Sequence, residues 1–151
     1  MESVYNQLIK ILPKEKVYLN EPMNKHTTFR VGGMADIFVI ANTEEEIKHV
    51  LEIAKNNNTK VFVLGNGSNL LVLDGGIRGI VLKIDIKTFN VTDEYIEAGA
   101  GVLLSKLSYI ATQNSLSGLE FASRYTWNFR WGNKDECRSI WKWNKRCFGI
   151  Q

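Results

Sequence analysis

The spacing of apolar residues along the chain predicts three helices. Residues 1–12 place apolar side chains at helical intervals. Residues 43–56 do the same behind the sequence TEEE, a capping box with Thr43 at the N-cap and Glu46 three positions later. Residues 102–113 complete the set. The inward faces of the last two helices are predicted to be Ile47, Val50, Leu51 and Ala54, and Leu103, Leu107, Ile110 and Ala111.

Short apolar runs predict strands between these helices. Two of these runs, residues 37–40 and residues 60–64, flank the second helix, which is the pattern of a β-α-β unit. The first run lies inside an extended segment from 27 to 41. Residues 70–84 predict two more strands around a glycine turn, and residues 95–98 predict another. Pro13 and Pro22 indicate a connector after the first helix. The order of elements predicts a mixed α+β fold.

Composition fits a globular chain but changes along its length. Of the 151 residues, 44% are hydrophobic and 23% are charged. No apolar run is long enough for a membrane span or a signal peptide, so we expect a cytoplasmic protein without a membrane partner. Residues 124–151 hold seven Lys/Arg against two Asp/Glu, with all four Trp and both Cys, whereas residues 1–123 hold twelve against fourteen. The composition therefore changes near Ser123.

The segment VLGNGSN, residues 63–69, is the most informative for chemistry. Gly65 and Gly67 tolerate positive φ and expose backbone N–H groups, and Ser68 and Asn69 add side-chain donors. Successive N–H groups in such a turn form a concavity that binds anions such as a diphosphate. A tight β-turn closed by an Asn side chain fits the pattern equally well. The segment is neither a Rossmann fingerprint nor a P-loop, because it predicts no following helix and has no lysine.

The remaining candidates are weaker. Gly99 and Gly101 lie in AGAG, which fits a phosphate site at a helix start or a plain β-α connector. In RVGG, residues 30–33, the glycines either admit a ligand or bend an edge strand, and Arg30 either pairs with a phosphate or faces solvent. Two isolated histidines, His26 and His49, do not make a metal site. We therefore assign no catalytic residue and no metal ligand.

Four segments together resemble one family. Within residues 20–123 the chain contains, in this order, HTTFRVGG, VFVLGNGSNLLVLDGGIRGIVLKI, EAGAGV and SLSGLEFA. Together these segments resemble the UDP-N-acetylenolpyruvoylglucosamine reductases. The resemblance implies the two-lobed FAD-binding fold of the PCMH type, shared with vanillyl-alcohol-oxidase-like flavoproteins, here incomplete. It implies FAD as the cofactor. The implied cofactor-binding residues are Gly65, Asn66, Gly67, Ser68, Asn69, Leu70, Gly99 and Gly101.

The resemblance also implies an organisation and a reaction. Residues 1–19 would be an N-terminal helix and connector, 20–84 the first FAD-binding lobe, and 85–123 the start of the second. In the family, NADPH reduces the flavin, which passes a hydride to the enolpyruvyl group of a UDP-sugar in peptidoglycan precursor synthesis. The family's catalytic Arg, Ser and Glu lie beyond the matching region. We therefore expect this chain alone to be inactive and to bind FAD weakly.

The basic, Trp-rich segment 124–151 departs from the family, which continues here with a glycine-rich sequence like GIPGTLGGAIRMNAGAYG. Codons permitted for residues 124–150 encode GIPGTLGGAIRMNAGAYGNGIKDVLV when read one base later. We infer an out-of-frame, poorly ordered tail. The competing interpretation is a nucleic-acid or membrane surface formed by Trp and basic residues, and we expect no nucleic-acid partner. Two further alternatives are a nucleotide-binding module without catalysis and another flavoprotein oxidase of the same fold.

Overall fold

The computed structural model describes residues 1–93 and 95–124, with side chains through Ser123, and the backbone of residues 139–141. The chain divides into two compact units, Met1–Asp85 and Ile86–Gln151. The first helix belongs to the first unit, where it contacts the second helix. The predicted disorder of the tail lies outside the described residues.

The first unit is a four-stranded sheet in the order β1-β2-β4-β3. Strands β1 and β2 are antiparallel, whereas β2 and β3 both run parallel to β4, which lies between them. The predicted β-α-β unit is therefore present, with a third strand inserted between its two strands. The elements are α1 (Glu2–Ile11), β1 (Val17–Pro22), β2 (Met34–Ala41), α2 (Glu44–Asn56), β3 (Val61–Leu64) and β4 (Ile77–Ile84).

Helix α2 begins at the predicted capping box. The Thr43 Oγ1 accepts a hydrogen bond from the Glu46 N–H (3.2 Å), and the Glu46 carboxylate accepts one from the Asn42 N–H (2.7 Å). The carboxylate thus reaches one residue further back than in the usual box. The inner face is corrected at one position, because Ile53 is buried and Leu51 is 43% exposed.

Two strand predictions were wrong. Residues 17–22, assigned to a connector because of Pro13 and Pro22, form β1; Pro22 ends it, and this edge position tolerates the missing N–H. Residues 70–73, predicted as a strand, join no sheet. They run beside residues 32–34 instead, and the Gly33 N–H donates to the Leu73 carbonyl (3.0 Å).

A compact apolar cluster on the first unit supports the loop that follows β3. Its members come from the turn after β1, from β2, β3 and β4, and from the segment after the loop, and Leu70 packs against them. Leu70, one of the predicted cofactor residues, is therefore anchored in a core rather than exposed. The buried members are Met23, Ala35, Phe38, Leu64, Val72 and Val81.

The second unit pairs β5 (Phe89–Val91), β6 (Ile96–Ala98) and β7 (Ser139–Trp141) in an antiparallel sheet beside α3 (Leu104–Gln113). Strand β5 was not predicted. Leu107, Ile110 and Ala111 are buried as predicted, but Leu103 precedes α3 and is 39% exposed. The N-terminal position of Leu103 takes its side chain off the buried face of the helix.

Candidate glycine-loop anion site

The loop of residues 65–69 connects the end of β3 to the apolar cluster. Gly67 has φ +65°, and a Cβ at this position would overlap the His26 carbonyl oxygen. The Thr28 N–H donates to the Gly67 carbonyl (3.1 Å). Glycine is therefore required here both for its backbone conformation and for the close approach of residues 26–28.

The amides of this loop remain available to a ligand. Within the described part of the chain, the N–H groups of Gly67, Ser68 and Asn69 donate to no protein acceptor. Gly65 and Gly67 are buried, Ser68 is half-buried, and Asn66 and Asn69 are exposed. Asn66 interacts within the chain and also faces a hollow. The loop thus combines adjacent free donors with access from solvent, as an anion nest requires.

A hollow of about 360 Å³ has one residue of the loop, Asn66, in its wall. It is built entirely within the first unit, from the segment before β2, from the loop, and from the end of β4. Its lining contains three permanent cations and no carboxylate, so its potential favours an anion. The lining residues are Lys25, His26, Thr27, Thr28, Arg30, Asn66 and Lys83.

A carboxylate behind this lining orients one wall. The Glu21 Oε1 lies 3.0 Å from the His26 Nε2 and 3.5 Å from the Lys25 Nζ. The His26 ring stacks on Phe38, with ring centroids 4.0 Å apart and planes inclined by 21°. His26 is consequently held by a hydrogen bond and by a ring contact, which fixes the wall of the hollow next to Thr27 and Thr28.

In the RVGG segment, the two glycines and Arg30 have different roles. A Cβ on Gly32 would lie 2.6 Å from the Val72 Cβ, and one on Gly33 would overlap the Asp74 carbonyl. These glycines therefore admit a neighbouring chain segment, not a ligand. Arg30 lines the hollow, with no ion pair recorded among the described residues, which places it where the phosphate interpretation requires.

The second glycine turn lies in the second unit, and its amides are already used. The Gly99 N–H donates to the Thr88 carbonyl (2.8 Å), and the Gly101 N–H donates to the Ile86 carbonyl (2.9 Å). Both glycines thus make the β-α connector by internal hydrogen bonds. Their assignment to the cofactor stays a prediction without support from free amide donors.

Sequence reasoning missed four lining residues of the hollow, Lys25, Thr27, Thr28 and Lys83. The first three lie in the segment before β2 and Lys83 lies in β4, so no linear motif joins them. One signal was present: Lys83 is the only charged residue in the otherwise apolar run of residues 80–84. Among the described residues, no group of His, Cys, Asp and Glu could hold a metal ion. None of the described helices has the length and apolar character needed to cross a membrane.

Comparison with known proteins identifies a matching domain family and similar reductases. A family model described as "FAD binding domain" matches residues 35–127. A UDP-N-acetylenolpyruvoylglucosamine reductase of Clostridium tetani is 48% identical over 119 residues, covering 78% of this chain and 39% of the relative. The reductase of Clostridioides difficile is 43% identical over 124 residues, covering 81% and 41%. The chain thus spans about two fifths of the relatives' length.

Solved structures agree on the fold. The reductase of Thermus caldophilus superposes with a TM-score of 0.57 at 33% identity, covering 75% of this chain and 38% of that structure. A p-cresol methylhydroxylase superposes with a TM-score of 0.59 at 16% identity, covering 76% and 25%. At that identity the second likeness concerns the fold alone. The fold predicted from the sequence is thereby confirmed, and the chain belongs to the FAD-binding domain family, with FAD as the cofactor that this family indicates.

Proposed function

We propose that this chain carries the diphosphate-binding part of a flavin-dependent reductase that acts on UDP-N-acetylglucosamine enolpyruvate. Two observations carry the proposal: the unused amides at residues 67–69, and the cation-lined hollow whose wall includes the preceding residue of the loop, Asn66. In the two UDP-N-acetylenolpyruvoylglucosamine reductases compared above, the matching region is 43% and 48% identical to this chain. The chain covers only part of those relatives, so the activity belongs to a longer protein.

The loop fits the diphosphate of FAD in three respects. Its free N–H groups supply short donors, and its buried glycines leave no Cβ in the way. The hollow beside it has no acidic side chain among its lining residues. We assign Gly65, Asn66, Gly67, Ser68 and Asn69 to the diphosphate. Leu70 holds the end of the loop in the apolar cluster.

Bound FAD would supply hydride transfer, and this chain's residues would bind and orient it. NADPH as the hydride source and a UDP-sugar as the substrate are proposed from the relatives. We assign no proton donor, because the region similar to the family ends near Ser123. We propose that the 151-residue chain alone does not turn over, and that the complete reductase works in the cytoplasm.

Titration of the chain with FAD tests the cofactor assignment. We expect FAD fluorescence to change saturably on addition of the protein. Riboflavin, which lacks the diphosphate, is expected to bind at least about tenfold more weakly. The reason is that one charge-assisted contact contributes about 1.5–3 kcal/mol, which is about 10- to 100-fold in affinity. Equal affinity for the two flavins would contradict a diphosphate site in this loop. Binding of simple nucleotides with no preference for FAD would favour the nucleotide-binding module instead.

We further propose that residues 124–151 are read out of frame. The matches to relatives cover 117–125 of the 151 residues, a length that a change of frame near Ser123 would explain. Sequencing the DNA that spans codons 115–151 tests the proposal. A glycine-rich GIPGTLGG segment is expected one base later, and bases that do not encode it would refute the frameshift.

A further inference from the structure

We propose that Arg30 and Lys83 clamp the diphosphate from outside the glycine loop and give the site its preference for doubly charged ligands. This inference rests on the proposed FAD site and adds two positioning residues to it. Neither lies within the loop: Arg30 precedes β2, and Lys83 is near the end of β4. Both line the hollow, to which Asn66 of the glycine loop also contributes.

Lys83 is placed unusually for a lysine. It lies between the buried residues Leu82 and Ile84, and it is itself half-buried. Its register partners are Ile40 on β2 and Leu64 on β3, both of which belong to the apolar cluster or pack against it. The described residues provide no carboxylate within ion-pair distance of its ammonium. A half-buried cation without a partner gains most from an anion brought by a ligand.

Arg30 provides an independent observation, because its backbone is in an uncommon conformation. Its φ is +54°, in the left-handed region that L-residues with a Cβ rarely adopt. The turn is held by the Arg30 N–H, which donates to the Thr27 carbonyl (3.2 Å). Strained backbone of this kind concentrates where a side chain must be aimed. Here the residue in that conformation, Arg30, lines the hollow.

The charges of the hollow match a diphosphate in number. Of its three permanent cations, Lys25 is paired with Glu21 (3.5 Å), which leaves Arg30 and Lys83. A diphosphate diester such as that of FAD carries two negative charges. Arg30 has a planar fork that contacts two phosphate oxygens at once, whereas Lys83 acts as a point charge. The shared chemistry fits the dinucleotide and also free pyrophosphate.

Three variants of the full chain test the clamp. Lys83→Met is expected to weaken FAD binding about tenfold, which corresponds to about 1.4 kcal/mol, because one contact between the diphosphate and a cation is lost. Arg30→Asn is expected to do the same, because asparagine tolerates positive φ and so removes the charge without adding strain. Lys48→Met is the control, since Lys48 is exposed on α2 and does not line the hollow. Its FAD affinity is expected to match that of the unmodified chain.

Further measurements separate the clamp from a structural role. Lys83→Arg is expected to restore FAD affinity, and riboflavin binding is expected to be the same in every variant. If inorganic pyrophosphate displaces bound FAD, the clamp also accepts the free ion. If pyrophosphate does not displace FAD, the clamp is specific for the dinucleotide. Unchanged FAD affinity in both Lys83→Met and Arg30→Asn would overturn the clamp. Absence of FAD binding in the unmodified chain would instead overturn the proposed function.

Discussion

Gly67 connects the fold to the candidate site, because it carries both a positive φ and a contact with residues 26–28. Gly67→Ala introduces a Cβ that overlaps the His26 carbonyl oxygen and strains the backbone. We expect a loss of at least about 2 kcal/mol in the free energy of unfolding, and a weaker response to FAD. Denaturant titration followed by circular dichroism measures the first effect.

Gly75→Ala is the matched control for that substitution. A Cβ on Gly75 would have no heavy atom within 4 Å, and Gly75 has no positive φ. Its expected change in unfolding free energy is within about 0.5 kcal/mol. Equal effects at Gly67 and Gly75 would show that the contact with residues 26–28 does not constrain the loop.

Glu46 makes the stability of α2 depend on pH. Burial raises its pKa, but hydrogen bonds from Lys16 and from the backbone of Asn42 outweigh burial, and the pKa is lowered from its ordinary 4.5. The Lys16 Nζ lies 2.6 Å from the Glu46 Oε1. Ionised Glu46 therefore stabilises the fold above pH 4.5, and this stabilisation is lost as the pH falls through the lower folded value.

Glu46→Gln is expected to reduce the unfolding free energy at neutral pH by about 1 kcal/mol and to flatten its decline below pH 4.5. Unfolding curves measured between pH 3 and 7 give both quantities. Glu45→Gln, at an exposed position in the same helical turn, is expected to preserve the decline. A decline that persists unchanged in Glu46→Gln would contradict the assignment to this carboxyl.

At the level of elements, the phase of α2 distinguishes the sequence prediction from the structure. Ile53 is 7% exposed and Leu51 is 43% exposed, although the sequence pattern favoured Leu51. Ile53→Ala is expected to cost about 2–5 kcal/mol, because it leaves a cavity. Leu51→Ala removes a similar side chain and is expected to cost less than about 1 kcal/mol. Thermal unfolding of the two variants measures both losses of stability. A larger loss in Leu51→Ala than in Ile53→Ala would contradict the buried face of α2 described here.

Helices and buried strands were predicted well because their signals are local. The capping box fixed the start of α2, and the apolar run at residues 37–40 fixed the centre of β2. Residues 70–73 show where local signals fail. Their apolar side chains suit a strand, but their backbone lies beside residues 32–34 and not beside a strand of the sheet, and Leu71 and Leu73 remain exposed. The sequence of residues 70–73 alone does not indicate which segment of the chain packs next to them.

The candidate site was predicted in part for the same reason. Residues 65–69 are contiguous and were found from their glycines. Arg30 was noticed with its role open, whereas Lys83 became visible only when β4 was placed beside β3. Lys83 thus reaches the hollow because the strands pair, which no contiguous motif shows.

For the whole molecule, we expect no catalysis by the 151-residue chain. With FAD, NADPH and the UDP-sugar supplied, NADPH absorbance is expected to fall no faster than without protein, because the chain spans about two fifths of its relatives. The control is the product of the same gene with one base removed near codon 123 and with its downstream sequence intact. It is expected to oxidise NADPH. Turnover by the 151-residue chain would contradict the proposal.

The central position of β4 sets the order in which the first unit can assemble during synthesis. Strands β2 and β3 leave the ribosome before β4, yet each pairs with β4 and not with the other. Until residue 84 has emerged from the exit tunnel, β3 has no hydrogen-bonding neighbour and the hollow has no Lys83. At the proposed site, a nascent chain would therefore capture the cofactor only after translation of this strand, and stalling before it leaves unpaired edges open to aggregation.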